Sequence, residues 1–242
     1  ASEDADLTLQ LWKHFEPQLE KENLSELFFS IETPLLPILA EMEREGIHIE
    51  KKDLEEYARE LFSQIELLTN EIYELAGYEL NIASPKQLQE LLFVKRKLPS
   101  GKKIKQGYST DTFVLENLRE LDPIIPKILE FRQLSKLLNT YVDALPKLAD
   151  EKNRVHTSFI QIGTATGRLS SREPNLQNIP IRDEEGRRIR QAFTAPSGRS
   201  LISSDYSQIE LVVLAHLSQD PQLMNAFHSG QDIHKATASL IF

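Results

Sequence analysis

The sequence has no cysteine. That excludes disulfide staples and thiolate metal sites, and it is the usage expected of a cytoplasmic protein. No apolar run approaches the roughly 20 residues that a membrane-spanning helix needs, so no membrane partner is expected. The chain opens on Ala1-Ser2-Glu3-Asp4, acidic where a secretory signal carries basic residues, and no signal peptide is expected. An initiator methionine is also missing, as in an internal segment of a longer protein.

Basic charge is scarce as well. The formal net charge is −9, which by itself argues against a polyanionic partner. The distribution reverses that argument. Residues 1–80 hold 20 acids and 6 bases, a net of −14, while residues 81–242 hold 17 acids and 22 bases, a net of +5. Such a chain can meet a polyanion with one face only. What is plentiful is hydrophobic residue, 40% of 242, enough for the core of one large domain or two small ones.

Apolar periodicity predicts helices over Asp4–Leu19, Ile31–Glu45 and Asp53–Ala76. The last carries Leu54, Tyr57, Leu61, Ile65, Leu68, Ile72 and Leu75 at near-helical spacing and ends at Gly77. Ser84-Pro85-Lys86-Gln87 reads as a helix start, with Ser84 as cap and Gln87 closing a capping box. Further helices are predicted from Ser109-Thr110-Asp111 to Leu121 and over Ile128–Leu145. Between these arms, Lys95 to Gly107 contains six basic residues, among them Lys102, Lys103 and Lys105, and no acid. Such a run is either a solvated loop or a phosphate contact. Arg132 and Lys136, four apart, share a helix face.

From Asn153 the texture changes. Val155–Gln161 reads as a strand, and Thr164–Ser171 is a polar turn around one arginine, Arg168. Pro174–Pro180 is rich in amides: Asn175, Gln177 and Asn178 can contact nucleic acid or satisfy their own turn backbone. Arg182, Arg187, Arg188, Arg190 and Arg199 interleave with Asp183, Glu184 and Glu185, which neutralise them locally. Gln191–Ala195 is predicted to be a strand, turned by Pro196-Ser197-Gly198 into a second strand ending at Asp205.

That second strand leads into Asp205-Tyr206-Ser207-Gln208-Ile209-Glu210-Leu211, with a helix predicted from Gln208 to Leu217. Asp205 then lies at a strand tip beside the positive end of a helix, where an acid caps the helix or holds a divalent cation. A short helix over Pro221–Phe227 follows, and Asp232-Ile233-His234 starts a last one. His234 near a helix N-terminus is favourable for phosphate.

The seven residues Asp205 to Leu211 resemble the first palm motif of the family A DNA polymerases, the bacterial DNA polymerase I group. The resemblance implies an α+β, predominantly helical chain in which a helical thumb arm precedes a partial antiparallel-sheet palm. It assigns residues 1–22 to the tail of a 3′–5′ exonuclease-like domain, with Asp4 inert. Residues 23–150 would be the thumb, and 151–242 the first half of the palm, ending at the start of the fingers. It also implies template-directed transfer from dNTPs to a primer 3′ end in replication and repair, with two Mg²⁺ ions, in the bacterial cytosol and as a monomer. Asp205 would be the first metal aspartate, with the Tyr206 backbone beside it. Tyr206, Ser207, Gln208, Ile209, Glu210 and His234 would lie along the nucleotide, Glu210 excluding a 2′-hydroxyl. Lys102, Lys103, Lys105, Arg132, Lys136, Arg168, Asn175, Gln177, Asn178 and Arg182 would face primer–template DNA, with Arg168 in the minor groove. That groove offers acceptors on every base pair, so an arginine there checks pair geometry without reading sequence.

One residue departs from the pattern: Val212 stands where the family usually has arginine, and no nucleotide role is assigned to it. The second metal aspartate and the fingers helix belong to later motifs, so the chain by itself is expected to bind primer–template without extending it. The competing reading is a non-catalytic duplex-DNA binding module. A metal-dependent hydrolase built on Asp205 and Glu210 is disfavoured because no second acid pair accompanies them.

Overall fold

The structure, a computed structural model, describes residues 2–100, 103, 104, 107–181 and 183–230, with 103 and 104 as backbone alone. It divides into two compact units, Ala1–Arg199 and Ser200–Phe242. The first begins with helices α1 (Ser2–Lys21), α2 (Ser25–Leu27) and α3 (Thr33–Glu45), then strand β1 (Ile47–His48) and the long helix α4 (Lys51–Ala76). Helix α5 (Pro85–Gln89), strands β2 (Lys103–Ile104) and β3 (Gly107–Tyr108), and helices α6 (Thr112–Asn117), α7 (Ile124–Leu137) and α8 (Ala144–Leu148) complete the arm. Strands β4 (Arg154–Val155), β5 (Ser158–Ile160) and β6 (Ser170–Arg172) and helix α9 (Glu184–Gln191) follow. The second unit holds α10 (Ile209–Ser218) and α11 (Pro221–His228). Helix dominates, and among the described residues the strands form three two-stranded antiparallel sheets, β1–β4, β2–β3 and β5–β6.

The apolar stripe of α4 is a packing face. Its Leu54, Tyr57, Leu61 and Leu68 are buried in one core with Leu134, Leu137, Tyr141 and Val142 from the end of α7 and the turn after it. Ile72, one turn on, enters a second core with Leu88, Leu91, Leu92, Leu115, Ile124 and Ile128. One helix therefore spans both cores, and α7 lies along it. Gly77 ends α4 in the left-handed region (φ 80°), its N–H donating to the Tyr73 carbonyl at 2.8 Å. Gly46 ends α3 at φ 65°, and a Cβ there would sit 2.7 Å from the Val155 carbonyl oxygen, so only glycine allows β4 so near.

Two helices widen where proline follows. The Asp143 N–H reaches back five residues to the Leu138 carbonyl at 2.9 Å, and Thr33 does the same to Phe28. Pro146 and Pro34 have no N–H for the carbonyls of Val142 and Ser30, so the predicted unbroken helices over 128–145 and 31–45 each carry a π turn.

The predicted strand over 155–161 is two short strands with different partners. Val155 pairs with Ile47, whereas Phe159 pairs with Ser171. Residues 156 and 157 between them bond elsewhere: His156 Nδ1 lies 2.7 Å from the Glu43 carbonyl, and Thr157 Oγ1 donates to Pro174 at 2.7 Å.

The predicted hairpin over 191–205 is not formed. Gln191 ends α9, and Phe193 makes only an isolated bridge to Ile49. Leu201 to Asp205 carries no regular structure, and Ile202 is 86% exposed. A strand is stable only when its backbone groups are laddered and one face is covered, and this stretch has neither among the described residues. Among those residues no helix is long and apolar enough to cross a membrane.

Candidate functional site

Within the larger unit, β5 and β6 pair antiparallel, Ser158 opposite Arg172 and Ile160 opposite Ser170. The loop that joins them carries Arg168. Thr164 Oγ1 donates to the Arg168 carbonyl at 2.7 Å, and Gly167 sits at φ 77°, so the turn is held while the Arg168 side chain is exposed. The amide-rich segment buttresses this hairpin. Gln177 accepts from the Ser171 N–H and donates to the Leu169 carbonyl, both at 3.1 Å. Asn175 Oδ1 accepts from the Gln177 N–H at 3.1 Å and from Ser171 Oγ at 3.3 Å. Of the two uses open to these amides, Asn175 and Gln177 make the turn-satisfying one. The Asn178 side chain is exposed, and its carbonyl accepts from the Tyr141 hydroxyl at 2.6 Å, which fastens the segment to the arm. Burial pushes the Tyr141 hydroxyl above its ordinary pKa.

The basic residues divide into held and exposed. Arg96 is held: Nη1 meets Asp122 Oδ2 at 2.7 Å and Nη2 donates to the Leu75 carbonyl at 2.5 Å. Lys95 lies 3.6 Å above the Tyr78 ring. Arg132 is half-buried, donating to the Thr110 carbonyl and, at 3.3 Å, to its hydroxyl. Burial lowers its pKa against the opposing pull of Asp111. Lys136, one turn on, is exposed, so the pair shares a helix but not an environment. Arg188 is bidentate to Glu60 at 2.5 and 2.6 Å and lies 4.2 Å over the Tyr57 ring. Nothing local in the sequence signals that triad, because 128 residues separate Glu60 from Arg188. Lys103 is described by its backbone, opposite Tyr108 in the β2–β3 pair. Lys102, Lys105, Arg182 and His234 lie outside the described residues.

In the smaller unit, residues 200–206 run as irregular, exposed chain into a turn and then α10. Gln208, not Asp205, is the N-cap. It adopts the left-handed region (φ 53°, ψ 30°), and its carbonyl accepts from Leu211 at 3.0 Å and Val212 at 3.1 Å. Asp205 therefore does not serve as helix cap. Its carboxylate is exposed, Tyr206 is exposed beside it, and Glu210 lies in the first turn of α10. Asp220 caps α11, accepting from Gln222 at 3.0 Å and Leu223 at 2.9 Å. Among the described residues no group of three or more His, Cys, Asp or Glu converges on a metal position. A small hard cation binds through one or two carboxylates together with substrate phosphates and water, and a solvent-facing aspartate with a neighbouring carbonyl suits that donor set.

A helical two-core arm joined to short antiparallel pairs, with one exposed aspartate ahead of a helix, is the class the fold defines. Residues 51–242 match the sequence profile of DNA polymerase family A, so the chain belongs to that family. It is 57% identical to DNA polymerase I of Treponema pallidum and 51% identical to that of Rhizobium leguminosarum, in both cases over the whole chain. It covers 24% of each of those relatives, so it spans about a quarter of their length. Its fold is similar to a solved structure described as the POL domain of Pol1 from M. smegmatis in complex with DNA primer-template and dNTP. The TM-score is 0.85 and the identity 41%, over 93% of this chain and 40% of that one.

Proposed function

We propose that this chain is the primer–template-holding part of a DNA-directed DNA polymerase and supplies one of its metal-binding aspartates. The observation that carries the reading is the run Asp205 to Leu211. It keeps an exposed carboxylate immediately ahead of α10 in a chain that belongs to the family. In this reading residues 1–22 are the tail of a 3′–5′ exonuclease-like domain, 23–150 the thumb and 151–242 the first half of the palm.

Asp205 and the Tyr206 carbonyl would hold Mg²⁺, which when bound supplies charge neutralisation at the transferred phosphoryl group. Tyr206 to Glu210 lie along the incoming dNTP, and Glu210 occupies the space a 2′-hydroxyl would need. His234 faces the triphosphate. Arg168, on the β5–β6 loop, donates to minor-groove acceptors near the primer end, which every base pair presents. Lys102, Lys103, Lys105, Lys136 and Arg182 meet primer–template DNA. Arg132, Asn175 and Gln177 already bond to this chain's own backbone, so they orient the exposed groups rather than reach furthest themselves.

The test is duplex binding. Anisotropy of a labelled primer–template, titrated with the chain at several salt concentrations, gives a log–log slope. Neutralising Lys102, Lys103 and Lys105 to Gln weakens binding and flattens that slope by about 0.9 per lost phosphate contact. No binding at low salt, or an unchanged slope in the triple variant, contradicts the reading of the tip.

A further inference from the structure

Among the described residues, the hairpin that carries Arg168 leaves one edge of β5 without a strand partner, and an acid on α3 occupies that edge. Phe159 is opposite Ser171, with Ser158–Arg172 and Ile160–Ser170 on either side, and its N–H donates to Glu43 Oε1 at 2.5 Å. An antiparallel strand points alternate N–H groups outward, and an outward one left bare both costs free energy and lets the strand slide or twist. Two residues on, Gln161 Nε2 donates to Glu32 Oε2 at 2.6 Å and to the Glu32 carbonyl at 3.1 Å. Glu32 and Glu43 are 11 residues apart, about three helical turns, which brings them to one side of the same helical rod. The Glu43 carbonyl also lies 2.7 Å from His156 Nδ1, just before β5 begins. Three ties thus join one side of this rod to residues 156–161.

We propose that Glu43, with Glu32, is a positioning residue for Arg168: it fixes the height and twist of the β5–β6 hairpin and so the place from which Arg168 meets the minor groove. This rests on the minor-groove role given to Arg168 above. Several observations favour a positioning role over a merely stabilising one. The acceptor is a side chain placed on a single outward N–H, not part of a core. The hairpin is short, three residues per strand, so one edge bond is a large share of what orients it. The other side of the hairpin is braced by Gln177, so Glu43 and Gln177 hold the two strands from opposite flanks. An arginine reading a groove works only within a narrow angular range, so loosening either flank costs binding without touching DNA.

The test is a double-mutant cycle read by primer–template affinity. Arg168→Ala is expected to weaken binding about tenfold, the scale of one charge-assisted contact. Glu43→Ala is expected to weaken it several-fold, and Glu43→Ala combined with Arg168→Ala to be no weaker than Arg168→Ala alone, because both remove the same contact. Glu43→Gln keeps an oxygen acceptor at the same reach and is expected to restore binding to within about twofold of wild type, which a loss of net charge alone could not explain. If Glu43→Ala does not fold, Gln161→Ala cuts the second tie and must show the same non-additivity. Effects of Glu43→Ala and Arg168→Ala that multiply, or a Glu43→Ala that binds as wild type, overturn the positioning role while leaving the Arg168 role intact. An Arg168→Ala that binds as wild type overturns both, so the two failures are distinguishable.

Discussion

Arg96 and Asp122 meet at 2.7 Å across the base of the arm, between the segment that leads into the basic tip and the start of α7. Their side chains are only 22% and 10% exposed. The second guanidinium nitrogen of Arg96 bonds the Leu75 carbonyl at the end of α4, and the other oxygen of Asp122 accepts from the Ile124 N–H at 2.9 Å. Three chain segments therefore converge on one ion pair. Within the basic run at 95–105, Arg96 is given to internal structure, and Lys95 beside it lies over the Tyr78 ring.

Removing one partner of a pair this sheltered leaves a charge with little water to solvate it. Asp122→Ala is expected to destabilise the chain by about 3 kcal/mol. Asp143→Ala, which breaks the exposed Lys147–Asp143 pair, is expected to cost under about 1 kcal/mol. Urea denaturation with unchanged slope measures both, and equal small losses would show that the Arg96–Asp122 contact stabilises no more than a surface pair.

Tyr57 gives a pH prediction. Burial, then the nearby charge of Glu185, with Asp183 and Glu60 adding, pushes its hydroxyl from 10.0 up to about 12, against the opposing pull of Arg188. A folded-state pKa above the unfolded one means the neutral form is favoured in the fold. The contribution is full below pH 10 and is lost as pH rises from 10 towards 12. Absorbance titration of tyrosinate, comparing wild type with Tyr57→Phe, is expected to lose a transition near 12. Loss of an ordinary transition near 10 instead would mean the ring is not sheltered by α9.

What local pattern decides was legible. The α4 stripe reached the core through Leu54, Tyr57, Leu61, Leu68 and Ile72, and Gly77 ended the helix as its conformational freedom requires. Ser84 accepts from Gln87 N–H as an N-cap, although the Gln87 side chain bonds Asn81 N–H at 2.7 Å instead of closing the box. Asp111 likewise caps α6. What depends on distant partners was not legible. The turn signal Pro196-Ser197-Gly198 read as the centre of a hairpin over 191–205, but α9 extends through Gln191 because its Ile189 enters the core with Val155 and Leu145. Arg132 read as sharing a DNA-facing helix face with Lys136, and nothing local showed that it donates to Thr110, 22 residues earlier. For Asn175 and Gln177 the sequence left two uses open, and only the fold supplied the Ser171 hydroxyl that meets Asn175 and the Ser171 N–H and Leu169 carbonyl that meet Gln177. Asp205 could be singled out by its motif, while the strand expected to carry it has no ladder among the described residues.

If the proposed polymerase role holds, Asp205 is a metal-binding carboxylate and Glu210 a steric block at the same nucleotide, so the two do different work. The direct measurement is single-nucleotide incorporation, with dNTP and with rNTP, by a polymerase containing this segment together with the sequence that follows Phe242. Asp205→Ala removes a metal-binding carboxylate, so both efficiencies are predicted to fall together by orders of magnitude. Glu210→Ala removes a steric block, so the ratio of rNTP to dNTP efficiency is predicted to rise while dNTP incorporation changes far less. A Glu210→Ala enzyme that loses both activities equally, or an Asp205→Ala enzyme that retains wild-type incorporation, would contradict the account.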